Sequence, residues 1–184
     1  GDLVTRDASA VVRLAVGASS RVLRSDGTDP SWATIETAIG QANARCSMSA
    51  DQSITDNTST VLNFDTEQFD NGTVHDTVTN NSRLTVPSGQ GGRYLIVGQI
   101  GFAANATGDR RGVVRLNGTT TLSGTQLMTV TTASVAALYL VATVESLAAA
   151  DYVDLMAYQN SGGALNALSG RANTWFAMFR LGGQ

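Results

Sequence analysis

The chain has no lysine: all twelve of its basic residues are arginine, and against fifteen acidic residues they leave a formal net charge of −3 over 184 residues. Apart from the Arg110-Arg111 pair the arginines are scattered, so no basic stripe is available to track a nucleic-acid backbone. A single cysteine, Cys46, excludes an intrachain disulfide and any cysteine-based metal site, and a lone thiol in an apolar strand reads as a small buried hydrophobe. The one histidine, His75, lies in the polar run TVHDTVTNN; with no nucleophile-elbow motif to accompany it and Asp76, it reads as a surface-loop residue rather than a triad base. Glutamate is scarce (Glu36, Glu67, Glu145), and most aspartates stand beside Gly, Asn, Thr or Pro, where Asp makes turns. No paired carboxylates of the kind glycoside hydrolysis needs can be drawn from them. Nor is there a membrane span: the longest apolar stretch, around 135–150, is interrupted by Thr143, Glu145 and Ser146. No signal peptide or lipidation motif stands at the start, and the pattern opens at Gly1 in mid-course, which fits loss of an initiator Met or a piece of a longer fibre.

Charged residues make up only 15% of the chain, and Thr, Val, Ala, Ser, Gly and Asn fill the space, a mix that favours strands and turns and suits a surface made largely of contacts within an assembly. Residues 1–34 hold three short extended pieces, Leu3–Thr5, Val11–Val16 and Arg21–Arg24, set apart by Gly17 and Asp26-Gly27. Such a unit is marginal as a monomer and needs other copies to wrap around it. Residues 35–44 form a connector, in which Ile35, Ala38, Ile39 and Ala42 share a helical face that Gly40 weakens. From residue 45 to the end the pattern is strand after strand: 45–52, 60–66, 82–87, 92–103, 112–117, 126–132, 135–146, 151–159, 163–168 and 173–182, an antiparallel sandwich in outline. Helical spacing fits 135–150 almost as well as alternation does; β-branched content decides for a strand. Gly89-Gln90-Gly91-Gly92 is a turn, since a phosphate loop would end in Gly-Lys-Ser/Thr. The sequons at Asn57, Asn71, Asn80, Asn105 and Asn117 are what chance supplies in a chain rich in Asn, Thr and Ser.

Several strands are apolar on both faces. In GRYLIVGQIGF, Tyr94, Ile96, Ile100 and Phe102 share one face with Gly98, while Leu95 and Val97 occupy the other. Tyr152, Met156 and Tyr158 oppose Val153, Leu155 and Ala157, and Phe176 and Met178 oppose Trp175, Ala177 and Phe179. A sandwich buries only one face of each sheet, so the second face needs a partner chain.

Residues 60–182 resemble the jelly roll shared by tumour necrosis factor and the complement globular heads. The matching pieces, in order, are VLNFDTEQFDNG, SRLTVPSGQGGRYLIVGQIGF (Pro87, Gly92, Tyr94, Phe102), GVVRLNG, LAAADYVDLMAYQ (Leu147, Asp151, Val153, Leu155) and NTWFAMFRLGG. Ala150 stands where that family has glycine. Residues 1–34 resemble a short module of bacteriophage fibres, carried by Gly1-Asp2-Leu3, Arg6-Asp7, Arg13-Leu14, Gly17, Val22-Leu23 and Pro30-x-Trp32-Ala33. Animal members of the head family more often carry collagen-like stalks, and no Gly-X-Y repeat exists here. The arginine-only usage fits a high-GC genome.

The resemblance implies a homotrimer whose strands 45–52, 92–103, 151–159 and 173–182 face the three-fold axis, with Leu95, Val97, Tyr152, Met156, Tyr158, Phe176 and Met178 as interface residues. It implies a non-enzymatic virion protein, assembled in the bacterial host cytoplasm: a short intertwined stalk (1–34) that joins other virion proteins, and an all-β jelly-roll head (45–184) that binds a host-surface glycan or envelope component. The candidate ligand loops, 67–81, 104–111 and 160–172, carry Asp70, Asn71, His75, Asn105, Asp109, Arg110, Asn160 and Arg171. Capsid decoration is the alternative, and a polysaccharide depolymerase the third. No cofactor, nucleic acid or membrane insertion is expected. A structural calcium ion stays open at Asp65, Asp70, Asn71 and Asp109, although no spacing matches a calcium loop.

Overall fold

The computed structural model describes residues 3–6, 11–15, 21–25, 30–34, 42–124, 128–130 and 137–182. Chain contacts divide into two units, Gly1–Ile39 and Gly40–Gln184. The first holds two antiparallel hairpins, β1 (Leu3–Arg6) with β2 (Val11–Leu14) and β3 (Arg21–Ser25) with β4 (Pro30–Thr34). The Trp32 indole donates to the Ala15 carbonyl at 2.7 Å, tying one hairpin to the other. Strands of four or five residues enclose no core of their own. Val4, Val22 and Leu23 accordingly stand exposed. The turns expected at Gly17 and Asp26-Gly27, and most of the 35–44 connector, lie outside the described residues.

The second unit contains β5 (Asn43–Ser47), β6 (Gln52–Ile54), β7 (Thr60–Val61), β8 (Thr66–Asn71), β9 (Arg83–Thr85), β10 (Gly92–Phe102), β11 (Asp109–Leu116), β12 (Thr120–Ser123), β13 (Met128–Thr129), β14 (Ala137–Leu147), β15 (Tyr152–Gln159), β16 (Leu165–Ala167) and β17 (Trp175–Gly182). No helix occurs among the described residues. One sheet runs β6-β16-β10-β17-β5-β8, with β14 also paired to β10; the other runs β12-β11-β15-β7, with β13 on β11 and β9 on β15. Every pairing is antiparallel. The all-β jelly-roll expectation holds.

Alternation sets the core. From the first sheet come Tyr94, Ile96, Ile100, Phe102, Val141, Phe176, Met178, Ala44 and Cys46; from the second come Leu84, Val114, Val153, Leu155 and Ala157. Phe64 reaches in beside Phe176, with ring centroids 5.8 Å apart. Gly98 lets the sheets meet: a methyl there would stand 2.8 Å from a Leu155 methyl. The stretch that fits helix and strand alike is a strand, and its 11 residues pair along the full length of β10, from Gly92↔Leu147 to Phe102↔Ala137. Eleven ladder partners outweigh any local helical preference in β-branched sequence.

Two expectations are corrected. The strand at 151–159 does not share a sheet with 92–103 and 173–182; β15 lies in the opposite sheet, between β11 and β7/β9. Tyr152, Met156 and Tyr158 therefore sit on the outside of that other sheet and cannot share an interface face with Leu95 and Val97. Phe176 and Met178 are also misplaced as interface residues, because both are fully buried inside the subunit. Register pairs them with Gly98 and Ile96 on the core face, so Trp175, Ala177 and Phe179 take the outside.

Candidate functional site

The outer face of the β10 sheet is apolar through its middle, with Asn43, Arg45 and Arg93 toward its margins. Register places Leu95 and Val97 beside Phe179 and Ala177 on one flank and beside Val144 and Ala142 on the other; Gln99 aligns with Leu140, and Gly101 with Leu138. On the far side of β5, Phe69 packs against Phe179 at 6.0 Å between centroids. In the single chain Leu138 is 52% exposed, Leu140 63%, Val144 54%, Leu181 58% and Phe69 38%. A contiguous apolar surface of this kind marks an interaction site rather than a solvated face. One border of it is polar: the Arg45 guanidinium stacks 4.5 Å above the Trp175 ring and donates to the Arg171 carbonyl at 3.0 Å, while the Gln99 amide donates to the carbonyls of Ala172 and Asn173. Leu95 and Val97 thus fall on this face as the two-sided apolar pattern of their strand requires. Phe69, Leu138, Leu140, Val144 and Phe179 were missed. Alternation in 137–147 was legible, but nothing local said which neighbour that strand pairs with.

The candidate ligand residues divide into three places. Asn105, Asp109, Arg110 and Asn160 come together at one end of the sandwich, where their polar groups hold the loop itself. Asn105 Oδ1 accepts from Thr107 N–H, Asn160 Oδ1 from Asp109 N–H, and Asp109 Oδ1 from the Thr129 hydroxyl. Arg110 is not a surface residue but is fully buried, its guanidinium donating to the carbonyls of Thr107 (3.0 Å), Asp109 (3.1 Å) and Asn105 (3.2 Å). Three carbonyls converging in a loop need a forked multiple donor, and arginine supplies it. Burial lowers the Arg110 pKa, against the opposing charge of Asp109.

Asp70, Asn71 and His75 lie elsewhere, at the edge strand β8. The Asp70 carboxylate accepts from Val74 N–H (3.0 Å) and His75 N–H (3.1 Å), and Asn71 bonds to Asn43. His75 is likewise buried rather than on the surface: its ring lies between Glu67 Oε1, 3.1 Å from Nδ1, and the Asn81 carbonyl, 3.3 Å from Nε2. A polar sequence context concealed both burials, because distant acceptors create them. Arg171 is exposed and apart from the others.

Asp65 borders a polar cleft of about 350 Å³ with Asp51, Gln52 and Asn63. Its oxygens accept from the Ser49 amide and hydroxyl, and these bonds lower its pKa. Cys46 is buried, and burial pushes its thiol far up. No group of three or more His, Cys, Asp or Glu placed to hold a metal ion occurs among the described residues.

The outer face of the other sheet is different again. The Arg83 guanidinium lies 4.5 Å above the Tyr152 ring and that of Arg111 5.0 Å above Tyr158. Between them Arg115 and Asp154 form a two-pronged ion pair, 2.8 Å at each contact.

No protein-family model matches the chain, and no curated protein matches it. Solved structures do resemble it. Murine APRIL at pH 5.0 superposes with a TM-score of 0.58 at 16% identity, covering 76% of this chain and 98% of that one. Eiger TNF from S. frugiperda gives 0.52 at 15% identity, with 78% and 92% covered. The globular domain of zebrafish complement 1qA protein gives 0.52 at 12% identity, with 78% and 100% covered. At these identities the likeness establishes the fold, a jelly roll of the tumour-necrosis-factor and complement-head type.

Proposed function

We propose that this chain is a non-enzymatic recognition head that works as a homotrimer, joined through the apolar outer face of the β10 sheet. The observation that carries the reading is that face itself: Leu138, Leu140, Val144 and Leu181 are each more than half exposed in the single chain. Burying a large apolar side chain contributes roughly 1.5–3 kcal/mol. Repeated over three copies, that favours assembly over an exposed patch. The first unit supports the same reading, since its two short hairpins leave Val4, Val22 and Leu23 in water.

The finer reading is a bacteriophage fibre or spike: residues 1–34 as the intertwined stalk, the jelly roll as a head that adsorbs to a host-surface glycan. The sequence resemblance of 1–34 to phage-fibre modules supports it, as does the low charge of the whole chain. Multiple heads per particle convert weak single-site binding into avidity. Sedimentation of the purified chain tests the coarser reading, with about three times 19.1 kDa expected; a folded monomer at micromolar concentration overturns it. Mixing the trimer with purified bacterial envelopes tests the finer one. Saturable binding without release of reducing sugar is expected, and sugar release would make the protein a depolymerase instead.

A further inference from the structure

We infer that the outer face of the β11–β15 sheet is a binding surface for an acidic polysaccharide, read by Arg83 and Arg111. This deepens the glycan-binding reading above and rests on it.

Register puts Arg83 opposite Asp154 and Arg111 opposite Tyr158 on β15. Alternation then lines one face with Tyr152, Asp154, Met156 and Tyr158. Three arginines stand over this row. Arg115 is neutralised, because both Asp154 oxygens are engaged with it and the Asp154 side chain is 6% exposed. Arg83 and Arg111 have no such partner: neither guanidinium makes a hydrogen bond or ion pair among the described residues, and the guanidinium carbon of each lies over a tyrosine ring. Stacking fixes the direction of a guanidinium while leaving its charge unsatisfied. The order that binding would otherwise impose on a long side chain is already present.

The spacing selects the ligand. The two guanidinium groups lie over Tyr152 and Tyr158, six residues apart on one strand, so the two unpaired cations are separated by about 20 Å. One small anion cannot touch both; a linear polymer with a carboxylate on successive units can. Nucleic acid fits less well. Its charge is far denser than two cations can match, the tyrosine faces on which bases would stack already carry the arginines, and Asp109 stands on the same alternating face of β11 as Arg111. Tyr158 is further braced by a hydrogen bond from its hydroxyl to Asn57 Oδ1 at 2.7 Å. The row is therefore built before any ligand arrives.

The test uses the full chain immobilised on a biosensor, with polygalacturonate, dextran and oligo-dT as probes at low and physiological salt. Polygalacturonate is expected to bind, to weaken as salt rises, and to bind at least ten-fold more weakly to the R83Q/R111Q variant, whose sedimentation should be unchanged. Dextran and oligo-dT should bind weakly or not at all. If R83Q/R111Q binds polygalacturonate as the parent does, or if oligo-dT binds best, this face is not the site. The envelope assay separates the two readings: envelopes that bind parent and R83Q/R111Q equally overturn only the site, whereas envelopes that bind neither overturn the glycan reading itself.

Discussion

Ala150 has φ +72°, in the left-handed region where a Cβ is strained, and it stands at the position where the resembling family has glycine. Its amide donates to the Val86 carbonyl at 3.0 Å, so the turn is kept despite the strain. Ala150→Gly removes the steric conflict but loosens the unfolded chain. The first term exceeds the second, and a net stabilisation of about 0.5–1 kcal/mol is expected from chemical denaturation. Asp65 makes a pH-dependent contribution. Its hydrogen bonds to Ser49 hold its folded-state pKa below the ordinary value, so the carboxylate stabilises the fold above its unfolded pKa of about 3.9, and that stabilisation is lost as pH falls through the lower folded value. Asp65→Asn should flatten the acid limb of Tm against pH; an unchanged limb would show that other carboxylates govern it. The raised thiol pKa of Cys46 predicts negligible reaction with iodoacetamide at pH 8 until the protein is unfolded.

At the scale of the elements, much was legible and one thing was not. Alternation in β10 correctly separated Tyr94, Ile96, Ile100 and Phe102 from Leu95 and Val97, because period-2 patterning is a local property. Which sheet a strand joins is not local. The sequence of β15 is apolar on both faces just as that of β10 is, and only its pairing with β11 reveals that Tyr152, Met156 and Tyr158 face away from Leu95. The buried Arg110 and His75 escaped for a related reason: their surroundings in sequence are polar, and the carbonyls and carboxylate that hold them converge only after folding. The glycine in the middle of β10 gives the element-level test. A side chain at Gly98 meets Leu155 across the sandwich at 2.8 Å and Phe176 on the neighbouring strand at 3.3 Å. Gly98→Val should cost about 2–3 kcal/mol through overpacking, seen as a lower denaturation midpoint with the same slope. Leu155→Ala in the Gly98→Val background should recover part of that loss, because the two sites share one space.

For the whole molecule, the decisive feature is an imbalance between the two outer faces. One carries arginine, tyrosine and a neutralised acid; the other carries Leu138, Leu140, Val144, Phe69 and Leu181, with Arg45 and Arg93 as its charged residues. An exposed leucine in a monomer can be replaced by aspartate at little cost, within about 0.5 kcal/mol. The same replacement in a three-fold interface places three carboxylates where apolar surface was buried, and unpaired charges there are strongly unfavourable. Leu140→Asp therefore discriminates without ambiguity about folding. A trimer joined through this face should dissociate to a folded single chain of 19.1 kDa that keeps its β circular dichroism. Its melting temperature should lose the dependence on protein concentration that the parent shows, because a dissociated chain no longer gains stability by mass action. If Leu140→Asp sediments as the parent does, the β10 face lies outside the interface and the proposed assembly through it is overturned.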